Sequence, residues 1–247
     1  MKTAFTYMFK DNMLLKKALP ALGLGLGQTL CPLISGGFTE YADKIMETNP
    51  STALVMSLLG LFLSIIGIIC AFVYWGYVVT CIKSIVTQKE NIVLPFVSFK
   101  KNIKLGLKYT IASLLYTTCL IGLAIPPFIL IMIPATKIIG TILTIITMLF
   151  ILAVVTTCSM GLLRIFAHTE DITSFIQFKR LFSLIAKDKA RYFKALGLCM
   201  GLGVAIMVLI AIPIIGMIAF GLLIPYTTFV VTYLIANSIS TEQFETV

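Results

Sequence analysis

The densest group of reactive side chains in this 247-residue sequence is His168-Thr169-Glu170-Asp171. A histidine beside two carboxylates can ligate a metal or move protons. It is the chain's single histidine, and no further ligand follows at a fixed spacing. The group therefore reads as the polar end of a helix. The six cysteines (Cys31, Cys70, Cys81, Cys119, Cys158, Cys199) form no Cys-x-x-Cys pair and sit in or beside apolar runs. They read as small buried hydrophobes, with neither a zinc site nor a disulfide framework. No nucleophile-elbow, HExxH, phosphate-loop or dinucleotide pattern is present. The expectation is a protein that is not an enzyme, with no catalytic residues, no metal and no cofactor.

What polar chemistry remains lies inside apolar runs. Gln28, Tyr77, Tyr116 and Asn237 are the candidate intramembrane polar positions, among a wider set of tyrosines and threonines. Such groups serve as interhelical hydrogen-bond partners or contacts for a neutral substrate. No Asp, Glu, Lys, Arg or His falls in the middle of any long apolar run. That argues against a proton relay or ion pathway, where intramembrane charge is the usual mark.

The elements that must carry these residues follow from composition. The chain is 59% hydrophobic and 12% charged, against about 25% charged residues in a soluble domain. So few ionised groups cannot cover a water-facing surface, which excludes a soluble enzyme, a disordered chain and a small secreted module. The uncharged runs are long enough to cross a hydrocarbon core, for which about 20 residues suffice. The last, Ala195–Thr241, would be about 70 Å long as one helix and must fold back, most naturally at Ile212-Pro213-Ile214-Ile215-Gly216. The expected fold class is all-α: a polytopic membrane protein with six transmembrane helices in three hairpins. The spans are expected at about 18–38, 53–82, 109–134, 138–163, 195–213 and 216–238, in a single membrane domain, 1–247. Met1–Lys17 is long for a signal-peptide n-region and no clear Ala-x-Ala follows, so the first run is expected to stay as a span.

All but two of the 19 Lys and Arg residues fall on one side of this topology, leaving Lys44 and Lys137 opposite. The positive-inside rule then places both termini in the cytoplasm. The net charge of +9 is thus a topology signal, and no nucleic-acid partner is implied. Three basic segments precede the hairpins and resemble one another: Phe5-Thr6-Tyr7-Met8-Phe9-Lys10, Phe96-Val97-Ser98-Phe99-Lys100-Lys101 and Phe175-Ile176-Gln177-Phe178-Lys179-Arg180. In the second, Phe96, Phe99, Ile103 and Leu107 make one apolar helical stripe. Phe175, Phe178, Phe182 and Ile185 repeat it in the third, with Thr173 or Ser174 as its cap. These are expected to be amphipathic interfacial elbows, at about 3–15, 95–108 and 172–192. Lys100, Lys101, Lys104, Lys179 and Arg180 are the candidate contacts to anionic lipid headgroups, the bilayer being the expected partner. Gly23/Gly27 and Gly197/Gly201 have the spacing that lets two helices approach closely. Pro32, Pro126, Pro127, Pro134 and Pro213 sit toward outer helix ends, as kinks or terminators.

Several of these residues together are similar to one family. Phe9-Lys10-Asp11 with Lys16-Lys17, Gly76-Tyr77, Leu94-Pro95, Gly106-Leu107-Lys108, the segment Phe178–Tyr192 and Pro225-Tyr226 resemble the domain-of-unknown-function 4013 family of small prokaryotic multi-pass membrane proteins. The sequence departs from that pattern at Asn12-Met13, Phe96-Val97 and Asn237. The resemblance implies the cytoplasmic membrane of a prokaryote and carries no known activity. Two function classes stand on the sequence: a carrier or flippase for a neutral or lipidic solute, and a non-catalytic membrane subunit or envelope-organising partner. A membrane enzyme ranks third.

Overall fold

The computed structural model describes residues 11, 13–88, 94–210 and 226–240. Its main elements are α1 (Leu14–Ile45), α2 (Pro50–Thr87), α3 (Phe99–Met132), α4 (Lys137–Thr169), α5 (Phe178–Lys187), α6 (Lys189–Ile210) and α7 (226–237). Short 3-10 turns at Pro134–Thr136 and Ile172–Ile176 flank α4. Five helices among the described residues are long and apolar enough to cross a membrane. The turn expected at 212–216 and the first part of the sixth span lie outside the described residues.

The helices overrun the expected spans. α2 has 38 residues, about 57 Å at 1.5 Å per residue, against a hydrocarbon core of about 30 Å. A helix that long must tilt or extend beyond the core. The second elbow is not a separate element: α3 runs unbroken from Phe99 through the region expected as a span. Lys and Leu in 99–108 favour helix, and nothing there breaks one. Its Asn102–Leu105–Gly106 side is buried in the protein, while Phe96, Phe99 and Leu107 are exposed. The third elbow does form a separate helix, α5, ended at Asp188 by a non-helical backbone. Its buried stripe is Leu181, Leu184 and Ile185, whereas Phe182 is exposed. Neither Thr173 nor Ser174 caps it; α5 begins at Phe178 without a side-chain cap. Asp171 instead caps the preceding 3-10 turn by accepting from the Thr173 N–H at 3.1 Å. The first elbow lies largely outside the described residues. Pro20 and Pro32 lie inside α1, and Pro126 and Pro127 inside α3.

By its contacts the chain divides into two compact units, residues 1–107 with 203–232 and residues 108–202 with 233–247. In the first, α1 and α2 form an antiparallel hairpin. Asn49 caps α2 by accepting from the Thr52 N–H at 3.3 Å, and Pro50 fills the first turn, where its missing donor costs nothing. Small residues zip the hairpin. A Cβ on Gly27 would stand 2.9 Å from Cys70 Sγ, and one on Gly67 2.9 Å from Pro32 Cδ. Gly23 meets nothing within 4 Å, and neither Gly197 nor Gly201 does, so of these spacing pairs only Gly27 packs a helix. Ser35 Oγ donates to the Gly60 carbonyl at 2.6 Å and lies 2.7 Å from Ser64 Oγ.

The closest approach in this unit is between α2 and the start of α3. Gly76 lies against the Asn102 carbonyl, and Gly106 against the Phe72 carbonyl, backbone on backbone. Only glycine lets two helices approach this closely. Thr80 Oγ1 bonds the Gly76 carbonyl at 2.8 Å and reaches Asn102 Oδ1 at 3.3 Å.

In the second unit, α3 returns into α4 through the 3-10 turn. Gly140 packs on Leu130 and Ile131, where an added Cβ would come within 2.6 Å of the Ile131 nitrogen. The core gathers at the other end of α4, where Leu162, Ile165 and Phe166 are buried with Leu181, Leu184 and Tyr192. Tyr109, Phe166, Phe175 and Tyr116 form a chain of edge-on rings with centroids 5.7–6.2 Å apart. The Tyr192 hydroxyl donates to the Thr157 carbonyl and accepts from the Gly161 N–H at 3.2 Å.

Candidate functional site

The first unit contains a cavity of about 90 Å³ between α1, α2 and α7. Its walls are chiefly carbon, from residues such as Leu22, Leu26, Val78 and Phe229. Gly25 makes room for one wall: a Cβ there would sit 3.1 Å from the Tyr74 ring. The Tyr74 hydroxyl donates across to Thr228 Oγ1 at 2.9 Å, tying α2 to α7. Thr29 spends its hydroxyl on the Gly25 and Leu26 carbonyls of its own helix, and Thr232 on the Thr228 carbonyl. Gln28, half-buried on the α1 wall, has no hydrogen-bond partner among the described residues. Tyr77 also lines the cavity, with its ring edge-on to Phe229 at 6.4 Å.

Gln28 and Tyr77 are thus brought together at one cavity, while Tyr116 and Asn237 belong to the second unit. Tyr116 is buried against Phe175 and Phe178, and its hydroxyl has no partner among the described residues. Asn237 is exposed and donates to the Tyr233 carbonyl of its own helix at 3.0 Å. Lys100, Lys101, Lys104 and Lys179 are exposed and Arg180 is half-buried.

The grouping around His168 has a structural role at the end of α4. Glu170 takes the left-handed conformation, φ 54°, and its N–H returns to the Phe166 carbonyl at 2.7 Å, which closes the helix. Lys108 Nζ meets the Glu170 carbonyl at 3.3 Å. Hydrogen bonds from the Thr173 hydroxyl and N–H hold Asp171 below the usual carboxylate range. Among the described residues no group of three or more His, Cys, Asp or Glu could hold a metal ion.

The burial of three charged residues, Asp11, Lys17 and Arg164, has no counterpart in the sequence reading. Asp11 and Lys17 form an ion pair at 2.7 Å with both side chains 4% exposed. Asp11 also accepts from the N–H groups of Met13 at 2.9 Å and Leu94 at 3.1 Å, and Lys17 lies 5.0 Å over the Phe96 ring. The clasp ties the start of α1 to the strand of chain before α3. Burial works to raise the Asp11 pKa, but the bonds from Lys17, Met13 and Leu94 outweigh it and hold the carboxyl below its ordinary value. Arg164, just past the expected end of the 138–163 span, lies within α4, 1% exposed, with Nε donating to the Ala236 carbonyl at 3.0 Å. That carbonyl is at the C-terminal end of α7, where a cation is favoured.

The long apolar helices, with wide exposed faces of Leu, Ile and Phe, define a multi-pass α-helical membrane protein. The family described as "Protein of unknown function (DUF4013)" matches residues 59–215, more than half of the chain, and the protein belongs to it. No curated protein and no solved structure matches the chain. Some of the sequence features that resembled this family meet in the first unit: Asp11 and Lys17 meet at Leu94, and Gly76 meets the α3 segment that holds Gly106.

Proposed function

We propose that this protein is a non-catalytic carrier or flippase-like protein for a lipidic solute, in the cytoplasmic membrane of a prokaryote with both termini inside. The observation that supports the reading is the first-unit cavity: carbon-walled, with the Tyr74, Thr29 and Thr232 hydroxyls bonded to protein groups and one half-buried amide, Gln28, left for a solute. A neutral polar solute would need more hydrogen-bonding groups than this wall offers, since each unmatched group costs about 1–3 kcal/mol. Lys100, Lys101, Lys104, Lys179 and Arg180 belong to the cytoplasmic face and attract anionic headgroups at about 1 kcal/mol each.

The reading is tested in proteoliposomes containing a headgroup-labelled fluorescent lipid, by following how fast inner-leaflet label crosses to the outer leaflet and meets an impermeant quencher added outside. Accelerated exchange that slows in Gln28→Leu supports it; exchange equal to protein-free vesicles refutes it. The alternative is a non-catalytic membrane subunit or envelope-organising partner. It draws on the outer half of α4, where Gly140 is the one buried residue between Lys137 and Thr157, leaving apolar surface for another chain.

A further inference from the structure

From the cavity's dimensions and charge we infer that it takes the single hydrocarbon chain of a neutral amphiphile, with a hydroxyl or ester of the headgroup meeting the Gln28 amide. The inference rests on the lipidic-solute reading and narrows it. Size comes first. At about 90 Å³ the cavity is well below the ~300–1,000 Å³ of sites that engulf a drug-sized ligand. A short stretch of one slender chain fits, the rest leaving through the cavity's open side; a pair of chains held side by side does not.

Charge comes second. No Asp, Glu, Lys, Arg or His is among the described lining residues. A carboxylate or phosphate brought there would lose its hydration with no cation to meet it, so the complementary occupant is uncharged. Hydrogen bonding comes third. Gln28 supplies both an acceptor oxygen and two donor hydrogens, which suits a hydroxyl or an ester carbonyl. The Tyr74–Thr228 bond at 2.9 Å holds the α2 and α7 walls together beside it.

The test is native mass spectrometry of the full-length protein in detergent, offered 1-monooleoylglycerol, oleate and dioleoylphosphatidylcholine in equal amounts. One copy of monooleoylglycerol is expected to stay bound. Gln28→Leu should weaken its retention about fivefold, the worth of one hydrogen bond of about 1 kcal/mol. Leu22→Trp, which fills the cavity, should abolish it, and Gly25→Leu provides a second filling variant should the first not fold. Retention undiminished in a folded filling variant overturns the inference, because the chain then sits elsewhere. Oleate bound as well as monooleoylglycerol overturns the neutral-head requirement. Phosphatidylcholine retained without monooleoylglycerol overturns the single-chain inference and leaves the lipidic-solute reading standing. Retention of none of the three overturns both.

Discussion

Replacing Gly76 by alanine adds one methyl group at the tightest helix crossing of the first unit. On an ideal backbone that methyl overlaps the Asn102 carbonyl and comes within 2.8 Å of the Gly106 nitrogen. Both are backbone atoms of α3, so no side chain can swing aside and the helices must separate. Two effects compete. Alanine favours helix over glycine by about 1 kcal/mol, while overpacking of this kind costs about 1–3 kcal/mol and sometimes more. With a backbone-on-backbone clash at the upper end of that range, the net loss is about 2 kcal/mol. At about 2–4 °C per kcal/mol for a chain this long, Tm should fall by about 4–8 °C. Trp75, the one tryptophan in the sequence, adjoins the crossing and reports its melting through intrinsic fluorescence. Gly23→Ala is the matched control, because a Cβ there meets nothing within 4 Å. It should leave Tm unchanged or raise it. A Gly76→Ala protein as stable as the Gly23→Ala protein would refute the close crossing.

Tyr74→Phe removes the bond to Thr228, and at about 0.6 kcal/mol for an interhelical hydrogen bond in a membrane Tm should drop by no more than ~3 °C; a rise would show that the bond is strained. Asp11, with its pKa depressed in the folded state, contributes stability above the ordinary carboxylate pKa of 3.8, and that contribution is lost as pH falls through the lower folded value. Asp11→Asn should therefore flatten the acid limb of a stability–pH profile, and an unchanged limb would remove Asp11 as its cause. Changing Lys100, Lys101 and Lys104 together to Glu should raise hydrogen exchange over 95–108 in anionic nanodiscs but not in zwitterionic ones; equal protection in both would contradict headgroup attraction.

The apolar runs made the helices legible, because a chain with so little charge has few alternatives to spanning a bilayer. A third elbow was visible too, in a basic segment with helical apolar spacing, but it was expected to run to 192, whereas α5 ends at Lys187 and α6 begins at Lys189. Residues 95–108 misled for a physical reason. An interfacial helix and the first turns of a long span share the same Phe-and-Lys pattern, and only the packing of Gly106 on α2 separates them. Arg164 misled because a charge was taken as the end of a span; the α7 carbonyl that satisfies it is distant in sequence. Glycine spacing pointed to Gly23 and Gly197, which touch nothing, and missed Gly76 and Gly106, since glycines are scattered through every apolar run. Gln28 and Tyr77 were picked out as polar residues in apolar surroundings, and both line the cavity. Their convergence with Tyr74 and Thr228 depends on α7 returning to the first hairpin, which no local pattern encodes.

The most direct measurement is native mass spectrometry of the protein taken from its own membrane straight into lipid nanodiscs. A reproducible neutral lipidic molecule, retained by the wild type and reduced in Gln28→Leu, is the predicted result. A stoichiometric protein partner with no small ligand would contradict it and make the chain a membrane subunit.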